Sequence, residues 1–179
     1  MDLYKLKFTI LQMEIFRLLC IKTGQKFNQR ELATLLSVSP TAIAKSLPSL
    51  QKEGLLLHTK GKTNLNSIEL NRKNRKTLEL KRAENFVLFT QSNIVEYLEE
   101  KYPGCSIILF GSYARGDDLY TSDIDLAIIG AKEKKLDLTS FEKMLEKEIR
   151  INYYEHLRDI NPHLKINLYN GIVLAGGFE

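Results

Sequence analysis

Leu109-Phe110-Gly111-Ser112-Tyr113-Ala114-Arg115-Gly116 and, after five residues, Ser122-Asp123-Ile124-Asp125-Leu126-Ala127-Ile128-Ile129 form the stretch on which the fold of this chain turns. An apolar run ends in Gly-Ser and a short turn, and a second apolar run opens with two carboxylates spaced i, i+2. Residues two apart on a strand project to one face. The spacing therefore predicts that Asp123 and Asp125 stand side by side, facing whatever Gly111 and Ser112 hold.

The residue types suit a phosphate-and-metal site. Asp123 and Asp125 each offer oxygen to a hard divalent cation, most naturally Mg2+, which keeps waters and binds through one or two carboxylates plus substrate phosphates. Gly111 has no side chain, so backbone can approach a phosphate closely. The Ser112 hydroxyl adds a donor, and Arg115 on the same turn supplies positive charge to the phosphates. Gly-Ser alone marks a turn, and Asp-Ile-Asp alone marks an edge strand with acids in water. The two halves in this order, each on an apolar run, carry the reading.

From Phe110 to Leu126 the pattern resembles the nucleotidyltransferase superfamily, which includes DNA polymerase beta and the aminoglycoside nucleotidyltransferases. The resemblance implies that Gly111 and Ser112 grip a nucleoside triphosphate. It also implies that Asp123 and Asp125 are the catalytic, metal-holding acids, with a third carboxylate on a later strand to complete a two-metal site. The later strand is read as Glu148 to Tyr154, after a helix at Leu138 to Glu146. Its alternation puts Arg150 and Asn152 on one face and Ile149, Ile151 and Tyr153 on the other. The expected acid is missing there. Glu148 and Glu155, at the strand ends, are the possible stand-ins; an alternative strand, Leu164 to Leu168, offers only Asn167. Nucleotide and metal binding are thus better supported than turnover, because the attacking hydroxyl lacks its base and one metal a ligand.

The 179 residues allow one large or two small domains, and the expected class is α+β. No run is long and apolar enough to span a bilayer, and Gln12, Glu14 and Arg17 interrupt the N-terminal apolar residues, which argues against a signal peptide. Cys20 and Cys105 sit in separate apolar runs and read as buried thiols, in keeping with a reducing cytoplasm. His58, His156 and His163 have no metal-ligand spacing, and Tyr153, Tyr154 and Tyr169 read as core or flank aromatics. Residues 1–102 carry 17 Lys/Arg against 10 Asp/Glu, and residues 103–179 carry 9 against 12. A basic half and an acidic half suggest modules with different partners.

The basic half, 1–70, has the pattern of a winged helix-turn-helix. A helix is predicted over Phe8 to Ile21, with Ile10, Leu11, Ile15, Leu18 and Leu19 on its apolar side. A second begins at Asn28, in a capping-box pattern with Glu31, and carries Leu32, Leu35 and Leu36. Ser39 and Pro40 start a third, running to about Glu53 and ending at Gly54. Leu55 to Thr59 and Leu65 to Leu70 read as strands around a polar tip, residues 60–64. This resembles the DNA-binding module of many prokaryotic transcription regulators. Thr41, Lys45 and Lys52 would then face a major groove, and Lys60 and Lys62 on the wing would touch phosphate. Protein docking or dimerisation is the alternative use of such a module.

Residues 71–102 lack Gly and Pro and read as one connecting helix, about 45 Å long if unbroken. Phe86, Val87, Phe89, Ile94, Val95 and Leu98 are too apolar for a free linker and should pack on the sheet or on a partner subunit, as in a homodimer. Residues 103–179 form the transferase-like domain, whose tail, 170–177, reads as an apolar strand or helix end. The acceptor would be a hydroxyl on a protein, small molecule or nucleic acid. A regulator that has lost turnover, and an antitoxin-type transferase acting on a partner protein, are the other readings.

Overall fold

The computed structural model describes residues 7–60 and 66–177, and the chain divides into two compact units, Met1–Lys81 and Arg82–Glu179.

In the first unit the capping signals at Asn28 and Ser39 act as the sequence predicts. Helix α1 (Ile10–Ile21) starts with a capping box between Thr9 and Gln12. Helix α2 (Gln29–Leu35) starts where the Asn28 side chain accepts from the backbone N–H groups of Arg30 and Glu31, while the Glu31 carboxylate accepts from the Asn28 N–H. Helix α3 (Pro40–Lys52) begins at Ser39, whose hydroxyl oxygen accepts from the Ala42 N–H at 3.2 Å. Pro48 lies on the exposed side of α3, and the helix continues past it to Lys52. Strands β1 (Leu56–Lys60) and β2 (Asn66–Leu70) pair antiparallel, and Phe27 bridges to Ile68. Ile15, Leu19, Leu32, Ile43, Leu47, Leu50 and Ile68 fill the shared core.

Two residues assigned to apolar helix sides lie outside that core: Ile10 is 77% exposed and Leu35 53%. Each occupies a helix end, beyond the turns that meet the other helices. The Gly54 carbonyl accepts from the side chains of Asn71, Asn74 and Thr77 at 2.9, 3.1 and 3.1 Å, anchoring the next helix to the end of α3. Lys7 and Lys76 flank Glu53 at 2.5 and 2.6 Å and hold its carboxyl down to about 2.

The expected single helix over 71–102 is two: α4 (Arg75–Gln91) and α5 (Ile94–Lys101). The break is local. The Ser92 hydroxyl turns back to donate to the Phe89 carbonyl at 2.6 Å, and Asn93 takes a left-handed φ of 58°. Phe89, Ile94 and Leu98 are buried in the second unit, whereas Phe86 and Val87 stay exposed rather than packing on the sheet.

The second unit is built on a sheet. Strand β3 (Ser106–Phe110) pairs antiparallel with β4 (Ile124–Ile129), and β4 pairs parallel with β5 (Ile149–Tyr154). On its other side β3 pairs antiparallel with β6 (Ile172–Ala175), so the order among the described residues is β5-β4-β3-β6. The tail is thus a strand. Helix α6 (Gly111–Arg115) follows β3, α7 (Thr139–Leu145) precedes β5, and α8 (Pro162–Tyr169) precedes β6. The alternative strand at Leu164 to Leu168 is therefore helical; Leu168 is buried against the sheet. Alternation divides the strands between two cores. Ile107, Leu109, Leu126, Ile128 and Ile149 pack with Phe89, Ile94, Leu98 and Leu145 on one face. Ile108, Phe110 and Ala127 pack with Ile160 and Leu168 on the other. Asp125 and Arg150, in phase with Ala127, belong to this second face. Among the described residues no helix is long and apolar enough to cross a membrane. Neither cysteine forms a disulfide; Cys20 is buried and Cys105 half-buried.

Candidate nucleotide site and basic helix

The antiparallel register sets Phe110 opposite Asp125, so the chain leaving β3 turns directly over that carboxylate. Gly111 makes the turn with φ +75°, and a Cβ there would collide with Asp125 Oδ2. No other residue type combines this left-handed backbone with so close an approach. Asp123 stands near enough to raise the Asp125 pKa, although burial is the larger cause; Arg150 and Arg115 oppose the rise. Among the described residues no hydrogen bond or ion pair reaches the Asp125 carboxylate. Ser112 is half-buried on α6, and Arg115 is exposed and paired with Asp117 at 3.3 Å. Gly111, Ser112, Arg115, Asp123 and Asp125 thus come together at one end of β3 and β4.

Asp123 has a partner that the sequence does not announce. Arg150 Nη1 lies 2.9 Å from Asp123 Oδ2, because the parallel register places Arg150 beside Asp125. The position where a third acid was sought therefore carries a cation. The Arg150 side chain is 58% exposed and that of Asp123 28%. Solvent screening leaves such a pair contributing little to stability.

Neither proposed stand-in completes an acid cluster. Glu148 binds Arg150 Nε at 3.3 Å, and Glu155 lies past the far end of β5, paired with Lys132. Among the described residues no three His, Cys, Asp or Glu side chains gather in a way that could hold a metal ion. A cavity of about 750 Å³, lined in part by Ser106, Gly130, His156, Arg158 and Gly176, opens at the end of the sheet away from the aspartates.

The segment leading into Asp123 is pinned from below. Lys147 Nζ donates to the carbonyls of Leu119 and Ser122 at 2.6 and 3.2 Å and pairs with Asp118 at 3.2 Å. Asn85 donates to Asp118 Oδ1 at 2.8 Å and to the Tyr113 carbonyl at 2.9 Å. Sequence reasoning missed this group, because Asp117-Asp118 looks like an ordinary polar loop.

Burial also sets a sign for pH dependence. A carboxyl whose pKa is higher in the folded protein favours folding when protonated, and that stability is lost as pH rises through the folded value. Asp125→Asn, which removes the charge at nearly constant volume, is expected to raise the thermal midpoint at pH 7. The gain should shrink as pH falls into the carboxylate range. A variant less stable than the parent at pH 7 would contradict this account of Asp125.

In the first unit, Thr41, Lys45 and Lys52 are exposed along one side of α3, opposite buried Ile43, Leu47 and Leu50. Lys60 closes β1, but its side chain, like all of Lys62, lies outside the described residues.

The family model described as nucleotidyltransferase domain matches residues 92–173, the part of the chain that holds the Gly111-Ser112 turn over Asp125 with Asp123 at its side. Among solved structures, the adhesin competence repressor AdcR of Streptococcus pyogenes is 24% identical, with 54% of this chain and 69% of that one covered, at a TM-score of 0.41. A mutant form of ZitR from Lactococcus lactis is 20% identical, with 57% and 65% covered, also at 0.41. A protein of Sulfolobus solfataricus assigned as a nucleotidyltransferase is 22% identical, with 55% and 92% covered, at 0.32. The chain thus spans about two thirds of the length of AdcR and ZitR. No curated protein matches the sequence.

Proposed function

We propose that the second unit binds a nucleoside triphosphate together with magnesium and passes a nucleoside monophosphate to a hydroxyl acceptor, and that the first unit docks on DNA through α3. The observation that carries the first part is the Asp125 carboxylate set directly under Gly111, with Asp123 beside it. Gly111, Ser112 and Arg115 would meet the phosphates. The half-buried Asp125 oxygens, with Asp123 next to them, suit one hard cation. That cation, when bound, would draw negative charge from the reacting phosphate. The chain's own contribution is to orient the triphosphate on the turn.

A second reading, a DNA-binding regulator that senses nucleotide without turnover, is favoured by one observation: Arg150, and no third acid, occupies the β5 position paired with Asp125. The acceptor in the first reading could be a partner protein, as in an antitoxin-type transferase.

Incubation with labelled nucleoside triphosphates, magnesium and candidate acceptors separates these readings. Transfer that disappears in Asp123→Asn supports the enzyme, whereas binding without transfer supports the sensor. No triphosphate binding defeats both. For the first unit, DNA affinity should fall steeply as salt rises. Lys45→Glu should weaken binding across sequences and lower the salt slope by about one. Unchanged binding would remove α3 from the interface.

A further inference from the structure

We infer that Arg150 is a resident cation of this pocket: its guanidinium, rather than a second divalent ion, takes up the charge that Asp123 and an incoming phosphate chain bring together. The inference deepens the triphosphate reading above and rests on it. Two observations support the role. Arg150 holds Asp123 at 2.9 Å from the neighbouring parallel strand, at the register position of Asp125 itself. Finally, the described residues gather no three metal-ligating side chains there.

The chemistry follows from the guanidinium. Arginine remains protonated at any working pH and presents a planar fork that matches phosphate oxygens. Here Nη1 meets Asp123 and Nε meets Glu148, both carboxylates near the solvent side, so Nη2 remains for a phosphate oxygen. With more than half of the side chain exposed, the contact to Asp123 is loose enough to be shared with a ligand. A fixed positive charge at Asp123 also repels a divalent ion from that carboxylate, leaving Asp125 as the principal oxygen donor for a single metal. The pocket would then bind polyphosphate even where divalent ions are scarce, which suits a nucleotide sensor better than a two-metal enzyme.

Inorganic tripolyphosphate tests this without knowledge of the nucleobase, by calorimetry on the full chain in chelator and in magnesium. The parent should bind in both conditions. Arg150→Gln should weaken binding by about tenfold or more in both, and Arg150→Lys should recover part of the loss. Spin counting with Mn2+ should find one ion per chain in the parent complex and a second in Arg150→Asp, which restores an acid beside Asp125. Circular dichroism confirms that each variant folds. Unchanged affinity in Arg150→Gln, two ions in the parent, or no second ion in Arg150→Asp would overturn the assignment of Arg150 while leaving the triphosphate pocket standing. A parent that binds no tripolyphosphate in either condition would defeat the pocket and this inference together.

Discussion

Lys147→Met is expected to destabilise the second unit by about 3–5 kcal/mol, the range for removing one partner of a buried ion pair. The Lys147 side chain is 3% exposed and that of Asp118 is not exposed at all. Methionine fills similar space but leaves the Asp118 carboxylate without this cation, and the Leu119 and Ser122 carbonyls without their ammonium donor. The Asn85 amide still reaches Asp118 Oδ1, so the loss measured is that of the Lys147 ammonium and its contacts. The chain has no tryptophan, and seven of its eight tyrosines follow residue 81, so tyrosine fluorescence in a urea titration reports mainly on this unit. A loss below about 1 kcal/mol, the scale of an exposed pair, would show that the pair does not hold the segment before Asp123.

Gly111→Ala should cost about 2–4 kcal/mol and abolish polyphosphate binding, for two separable reasons. Alanine is strained at a left-handed φ by about 1–2 kcal/mol, and overpacking adds a comparable amount. The new Cβ falls on Asp125 Oδ2, so the carboxylate must move out of the position on which the pocket depends. The separation can be measured. In an Asp125→Ala background the collision with Oδ2 disappears, leaving a tight contact with the Cβ of residue 125 at 3.3 Å and the backbone strain, so the Gly111→Ala penalty should drop toward about 1–2 kcal/mol. Equal penalties in the two backgrounds would mean that the turn does not rest on Asp125.

These two sites differ in how far they could be read before folding. The turn over Asp125 follows from Gly-Ser at the end of one apolar run and Asp-x-Asp at the start of the next. The geometry needs only two strands to pair, so the local pattern suffices. The starts of α1, α2 and α3 are equally local, because Thr9, Asn28 and Ser39 each cap within three residues. The Lys147 group was not readable in this way. It unites Asn85, Asp118 and Lys147 from three parts of the chain, and nothing in a polar loop says that one acid points inward. The break at Ser92-Asn93 went unread for a different reason. A serine can either face solvent or bond back to its own helix, and packing decides which.

The sequence by itself determined the three helices and hairpin of the first unit, the caps at Asn28 and Ser39, and the placing of a Gly-Ser turn against two aspartates, because each depends on neighbours within a few residues or on strand alternation. Tertiary structure decided which charge Asp123 faces. The alternation of β5 places Arg150 and Asn152 on one face, but only the parallel register with β4 sets Arg150, Nη1 at 2.9 Å from Asp123, beside the acid pair. A one-residue slip would have turned that side chain to the opposite face of the sheet.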